Sequence, residues 1–229
     1  MMERHFDDEL KELKKNILKM QTLVDEAITK SIKSLVERDG ELAEEVLNSD
    51  DVIDLLEIVI DKQCLELLAK RQPVAVDLRF ITSVQKINSD LERIGDLCIN
   101  VANASKYLAK HPQLKPLIDI PQMADITRSM LKDTMLALVD RDSKLARKVV
   151  KQDEEVDRLY VQNFREILSY MLEDNKNIKR GIRLILTGKH IERMADHVQN
   201  IAEDIVYMVE ATTIKHHYEE SPMKGEDTE

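Results

Sequence analysis

The chain has 229 residues, of which 43% are hydrophobic, 34% are charged and 3% are aromatic. This composition supports a sizeable apolar core and, with only five glycines, is typical of long helices. The net charge of −10 argues against binding to nucleic acid or to an anionic membrane surface, because both require concentrated Lys and Arg.

Nothing in the sequence indicates insertion into a membrane or export. The most apolar stretch, VIDLLEIVID, is interrupted by acids and is shorter than the roughly 20 residues that span a bilayer. The N-terminal MMERHFDDEL lacks the apolar core of a signal peptide. The two cysteines, Cys64 and Cys98, do not have zinc-binding spacing. We therefore expect a cytoplasmic protein.

Apolar residues recur at three- and four-residue steps from Leu10 to Leu35, which predicts a first long amphipathic helix. The same pattern predicts helices at about 41–70, 77–110, 120–140, 144–173 and 177–211. The fragments RDG (38–40) and RDS (141–143) end the first and fourth of these helices. RQPVA (71–75) and EDNKN (173–177) mark the turns before the third and sixth. No segment alternates with period two over a useful length, so we expect no sheet.

The two halves of this pattern repeat one another. A shift of 103 positions aligns the two Arg-Asp pairs, and a shift of 100 positions aligns DLERIGDL (90–97) with HIERMADH (190–197). The proline-containing KHPQLKPLIDIP (110–121) divides the halves. We predict an all-α fold of two pseudo-symmetric three-helix bundles fused side by side. The predicted boundaries are a first repeat at 1–111, a linker at 112–121, a second repeat at 122–214 and a disordered tail at 215–229.

Each repeat carries acids at four-residue spacing on its second and third helices, and such positions share one helix face. In an antiparallel hairpin, residues equally far from the turn lie at the same height. Asp54 and Glu92 are equally far from Pro73, and so are Asp50 and Asp96. The acids of the second repeat are likewise paired about the junction of residues 174 and 175. The predicted site residues are Asp50, Asp54, Glu92 and Asp96 in the first repeat and Asp153, Asp157, Glu192 and Asp196 in the second.

Four facing carboxylates repel one another unless a cation lies between them. Hard cations take several oxygen ligands, and carboxylates can bridge ions, so each set predicts a metal site with room for more than one ion. Arg93 and Arg193 are expected to form neighbouring ion pairs. The alternative, a purely structural bundle whose acids only cover a solvated face, stays open.

A carboxylate-bridged metal oxidoreductase of the ferritin-like kind is a second alternative. Such bundles place Glu-x-x-His on facing helices inside the core. No Glu-x-x-His occurs in the sequence, and Gly95 and Ala195 occupy the places where the histidine would stand. This argues against a ferritin-like oxidoreductase.

The fragments RQPVAVDLR (71–79), DLERIGDLCINVA (90–102) and HIERMADHVQNIAEDI (190–205) resemble the PhoU family, the regulators of phosphate uptake associated with the Pst transport system. The resemblance covers about residues 5–212. It implies two fused three-helix bundles. It also implies that the paired E/D-x-x-x-D motifs, at the eight positions given above, bind iron or zinc clusters or other divalent ions.

The resemblance also implies a function in regulation rather than catalysis, so we expect a protein that is not an enzyme. Members of this family link the Pst phosphate transporter to a phosphate-sensing histidine kinase and repress the phosphate-starvation response when phosphate is plentiful. The expected partners are therefore the kinase and the ATPase subunit of the transporter. The extended apolar-rich helical surface makes a homodimer a further expectation.

Overall fold

The structure is a computed structural model that describes residues 2–215, with side chains from residue 5 onward. Within this range the chain forms seven α-helices and no strand, which confirms the predicted all-α fold. The predicted tail lies outside the described residues from residue 216 onward. The helices are α1 (Met2–Glu37), α2 (Gly40–Asn48), α3 (Asp50–Arg71), α4 (Ala75–Ala109), α5 (Asp119–Asp140), α6 (Ser143–Glu173) and α7 (Ile178–Glu210), with a 3₁₀ turn at Asn175–Asn177.

The helices form two bundles that lie side by side. In the first bundle α1, α3 and α4 pack together, with α2 against α1 and α4, and in the second bundle α5, α6 and α7 pack together. The contact between α4 and α7 is the most extensive between any two helices of the described chain, and α1 also contacts α5. The helices α4 and α7 therefore lie at the centre, with α3 and α6 on the outer flanks. One buried hydrophobic cluster includes residues from all seven helices.

The first turn of each bundle is built in the same way. Arg38 and Arg141 both have left-handed backbone conformations, with φ of 59° and 54°, and each ends the helix before it. The next residue, Asp39 or Asp142, accepts hydrogen bonds from two backbone N–H groups of the following helix. Such capping satisfies donors that a helix start leaves unpaired. The predicted helix ends at RDG and RDS are confirmed.

The single helix predicted at about 41–70 is wrong in detail, because Ser49 separates α2 from α3. The Ser49 hydroxyl donates to the carbonyl of Val46 at 2.8 Å. Serine and asparagine compete in this way for backbone hydrogen bonds, and Asn48 precedes Ser49. The equivalent position in α6 is Gln152, a better helix former, and α6 is continuous.

A buried lysine holds the segment between the two bundles against α6 by ion pairing. Lys115 lies in the chain between α4 and α5, and its side chain is 2% exposed. Its Nζ forms an ion pair with Glu166 of α6 and lies 3.6 Å from Asp119 Oδ2. Gln162 of α6 donates to the other oxygen of Asp119 at 3.2 Å. The connection between the bundles is therefore anchored to α6 by charge.

We expect Lys115→Met to lower the free energy of unfolding by about 3 kcal/mol, because it leaves the carboxylate of Asp119 buried without its cation. Urea unfolding followed by circular dichroism measures this loss. The matched control is Lys110→Met, which removes an exposed lysine near the same segment. The double variant Lys115→Met/Asp119→Asn should recover part of the loss, and equal stability of the two single variants would contradict this role.

Candidate metal sites

Two hydrogen bonds fix the register of α3 against α4. Gln85 Nε2 donates to Asp61 Oδ1 at 2.7 Å, and Asn88 Nδ2 donates to the carbonyl of Glu57 at 2.9 Å. Gln85 and Asp61 are equally far from Pro73 in the sequence. In the α3–α4 hairpin, residues equally far from Pro73 therefore lie at the same height, as predicted.

The four predicted residues of the first repeat lie close together. Burial raises the pKa of Asp50, and the negative charges of Asp54 and Asp96 raise it further. Burial also raises the pKa of Glu92, with contributions from Asp96, Glu57 and Asp54. These carboxylates form the first cluster. The charge of Glu57 also raises the pKa of Glu92. The prediction did not include Glu57, because the residue level with it on α4 is not acidic.

The register of α6 against α7 is fixed by close packing at a glycine. A Cβ atom added to Gly188 would lie 2.9 Å from Asn163 Nδ2 and 3.3 Å from the ring of Tyr160. Only a residue without a side chain allows the helices to approach so closely here. This contact places α6 and α7 in the antiparallel register predicted about residues 174 and 175.

The second cluster is more deeply buried than the first. Asp153 is 8% exposed, and its pKa is raised to about 7 by burial and then by the charges of Asp196, Asp157 and Glu192. Burial is also the main cause that raises the pKa of Glu192 and of Asp196. All four predicted carboxylates of the second repeat therefore interact. Their charges act on one another across α6 and α7, and their role as metal ligands stays a prediction.

Each cluster is only partly neutralised by basic side chains. In the first cluster Arg93 lies 3.4 Å from Glu92 and 3.0 Å from Asp96, as expected for this arginine. In the second cluster the ion pair with Glu192 comes from Lys189, one turn earlier on α7, and not from the expected Arg193. In each cluster four carboxylates thus face a single directly paired cation.

Two oxygens of the second cluster have no hydrogen-bond donor. Asp153 Oδ1 and Glu192 Oε2 are buried and without a partner. A buried acceptor without a donor is costly, and a positive ligand removes that cost. The donor set consists of carboxylate oxygens, which suit divalent cations. The residues present therefore fit a metal ion in charge and chemistry. Within residues 2–215, however, no group of three or more His, Cys, Asp and Glu side chains is already arranged to hold one.

The two clusters lie at the same height on the molecule. The helices α4 and α7 run antiparallel, with His197 Nδ1 2.8 Å from Asp90 Oδ1, and Ser83 Oγ donates to the carbonyl of Asp204 at 3.4 Å. This register places Glu92 level with residue 195, between the two predicted site residues of α7. The Asp90–His197 pair therefore lies between the clusters.

The repeat in the sequence did not predict the Asp90–His197 pair, because this pair has no equivalent in the other repeat. The equivalent pair across the pseudo-symmetry axis would join Leu97 to His190, and leucine cannot form it. His190 Nδ1 is buried without a hydrogen-bond partner, and burial lowers the pKa of this histidine. A histidine without a counterpart in the other repeat was the available signal, but it did not identify the partner.

The structure leaves no room for the histidine of a ferritin-like site. A Cβ atom at Gly95 would already lie 3.3 Å from Ile53 Cδ1. Ala195, at the matching place in α7, is fully buried. An imidazole at either position would overlap the core, since packed interiors do not accommodate added volume without strain.

The PhoU domain family model matches residues 17–105 and 120–205, which together cover most of the chain. The chain belongs to the PhoU domain family. The matched ranges include all eight predicted PhoU site residues. No helix among residues 2–215 of this PhoU-family chain is long and apolar enough to cross a membrane.

Relatives support the family over nearly the whole length. The chain is 44% identical over 210 residues to the phosphate-specific transport system accessory protein PhoU homolog of Aquifex aeolicus, covering 92% of this chain and 95% of that protein. It is 32% identical to the phosphate-specific transport system accessory protein PhoU of Serratia marcescens, covering 92% and 87%.

Solved PhoU structures share the fold. The crystal structure of PhoU from Pseudomonas aeruginosa matches with a TM-score of 0.87 at 35% identity, covering 90% of this chain and all of that chain. The phosphate transport system regulatory protein PhoU from Streptococcus pneumoniae matches with a TM-score of 0.83 at 32% identity, covering 91% and 98%. The paired three-helix bundles are therefore the PhoU architecture.

Metal-free protein should become less stable as the pH rises through about 7, because the carboxyl of Asp153 then ionises in the folded protein. The folded pKa of this carboxyl is raised from 3.8 to about 7, so the folded state holds its proton more tightly than the unfolded state. Asp153→Asn should therefore stabilise metal-free protein by about 2 kcal/mol near pH 8 and by much less near pH 5.

Urea unfolding of chelator-treated protein between about pH 5 and pH 8 measures this effect. The difference between wild type and variant separates Asp153 from other titrating groups such as His190. Asp157→Asn, at an exposed position of the same cluster, is the control and should change stability less. A difference that does not depend on pH would show that Asp153 ionises normally.

Proposed function

We propose that this chain is a regulatory accessory protein of a phosphate-specific transport system that binds metal ions and acts through protein contacts. The observation that carries this proposal is that two sets of four carboxylates interact, one across α3 and α4 and the other across α6 and α7. Membership of the PhoU family and the names of its relatives support the link to phosphate transport.

The ions that we propose are iron or zinc, bound as clusters, or other divalent cations. The ligands are Asp50, Asp54, Glu92 and Asp96 in the first cluster and Asp153, Asp157, Glu192 and Asp196 in the second. A bound cation supplies the positive charge that the paired Arg93 and Lys189 provide only in part. Binding requires carboxylates to turn away from these two side chains toward a common ion.

The proposed partners are a phosphate-sensing histidine kinase and the ATPase subunit of the transporter. The chain would link them in the cytoplasm, as a homodimer, and repress the starvation response when phosphate is plentiful. Long helical surfaces suit such contacts. The sequence has no Gly-rich loop of the kind that cradles phosphate at a helix start, so we do not propose phosphate itself as the ligand.

Replacing one carboxylate in each cluster, as in Asp96→Ala/Asp196→Ala, should lower bound metal per chain severalfold. Helix content should stay unchanged, because both side chains are accessible to solvent. Elemental analysis and circular dichroism measure the two quantities. Glu26→Ala/Glu155→Ala removes the same charge from exposed positions outside the clusters and should retain metal. Equal metal content in all three proteins would rule out these site residues.

The partners are tested by recovering tagged protein from phosphate-replete and phosphate-starved cells. Wild-type protein should recover the kinase and the transporter ATPase, and a variant lacking Glu92, Asp96, Glu192 and Asp196 should recover less of them if metal shapes the contact surface. Recovery of a nucleic-acid enzyme in place of both partners would overturn the proposed function.

A further inference from the structure

An apolar strip remains exposed where α6 and α7 lie side by side. Its members are large apolar residues between 38% and 46% exposed, and contiguous apolar surface of this kind marks interaction sites when it is large enough. We call this strip the α6–α7 seam. It consists of Val161, Phe164 and Leu168 on α6 and Ile178, Ile182 and Leu186 on α7.

Helix geometry makes the seam continuous. On each helix its members follow one another at three- or four-residue steps, so they form one column. The two columns adjoin because the helices approach closely at Gly181, where an added Cβ would lie 2.5 Å from Met171 Sδ. Each column is about 10–12 Å long, which corresponds to two or three turns of a helix. Asp157 lies one turn before Val161, so the seam begins beside the second cluster.

The flanks of the seam are basic although the chain is acidic. Residues 158–190 contain seven Lys and Arg but only three Asp and Glu, in a chain of net charge −10. Arg158 and Arg165 are exposed on the α6 side, and Lys179 and Arg183 are exposed on the α7 side. Glu166, one of the three acids, is already paired with Lys115. The seam therefore presents an apolar centre between two positive edges.

An apolar centre between basic edges favours one kind of binding partner for the seam. A second copy bound through the same seam would place basic edges against basic edges, which is unfavourable. A membrane surface suits the straight seam poorly, and the exposed Glu173 and Asp174 at the tip of this hairpin would face anionic lipid. A helix with an apolar stripe between acidic residues matches both the shape and the charge.

We propose that the α6–α7 seam binds an amphipathic helix of a partner protein whose apolar stripe is flanked by Asp and Glu. The proposal rests on the proposed function for the existence of a protein partner, and it adds the surface and the chemistry of the contact. The apolar stripe supplies the buried area, and the acidic flanks pair with Arg158 and Arg165 on one edge and Lys179 and Arg183 on the other.

The probe is a labelled synthetic helical peptide with leucines on one face and glutamates beside them, compared with the same peptide carrying lysines in place of glutamates. Fluorescence anisotropy with the full chain should show at least tenfold tighter binding of the glutamate peptide, weakened by added salt. Arg165→Glu/Lys179→Glu should reverse this preference. Lys132→Glu/Lys148→Glu makes the same charge change at exposed positions elsewhere and should keep it.

The apolar part of the seam has its own matched pair of variants. Leu168→Ser should weaken binding of the glutamate peptide, whereas Leu55→Ser, at an exposed apolar position of α3, should not. Equal binding of both peptides, or no binding of either, would overturn the proposal. Two other results would also overturn it. One is binding of the wild type to phosphatidylglycerol-containing vesicles that Arg165→Glu/Lys179→Glu abolishes. The other is self-association of the wild type, measured by light scattering, that the same variant abolishes.

Metal content and partner recovery separate this proposal from the proposed function. If the seam binds the partner, Arg165→Glu/Lys179→Glu should lose partner recovery from cells while its metal content stays at the wild-type value. If the variant recovers kinase and transporter ATPase as wild type does, the seam proposal fails and the proposed function stands.

Discussion

The antiparallel packing of α4 against α7 is the contact around which the other helices are arranged. Each of these helices closes its own bundle on one side and meets the other bundle on another, and each has sixteen buried residues. Glu92 and Asp96 of the first cluster lie on α4, and Glu192 and Asp196 of the second lie on α7, so these carboxylates border the hydrophobic core.

This position explains the electrostatics of the clusters. A carboxylate beside a core loses part of its hydration, and a second carboxylate on the same face adds repulsion. Burial is accordingly the largest cause of the raised pKa at Asp50, Glu92, Asp153 and Glu192. Such an arrangement costs stability in the absence of a counter-ion, and any cation that binds the folded state offsets that cost by mass action. The burial of these acids supports the proposed metal binding, because acids on a fully solvated face would not be buried.

The sequence was sufficient for five of the six predicted helices, for the turns and for the register that brings the acids together, because these depend on local spacing. A four-residue step fixes a face, and equal distance from a turn fixes a height, so residue spacing alone places Asp54 opposite Glu92. The prediction from the repeat missed the pairing of Lys189 with Glu192, although a spacing of three residues on one helix favours it. The contact of Asp90 with His197 depends on tertiary packing, because it joins two bundles. The Ser49 interruption arose from a side chain competing with the backbone, which the apolar periodicity does not register.

The single hydrophobic cluster that runs through all seven helices has a consequence for how the molecule unfolds. Neither repeat can open alone without uncovering the apolar faces of α4 and α7, so the two should melt together as one cooperative unit. An ion that stabilises one repeat then protects its neighbour from unfolding as well. We therefore expect the two repeats, although separate in the sequence, to share one free energy of unfolding.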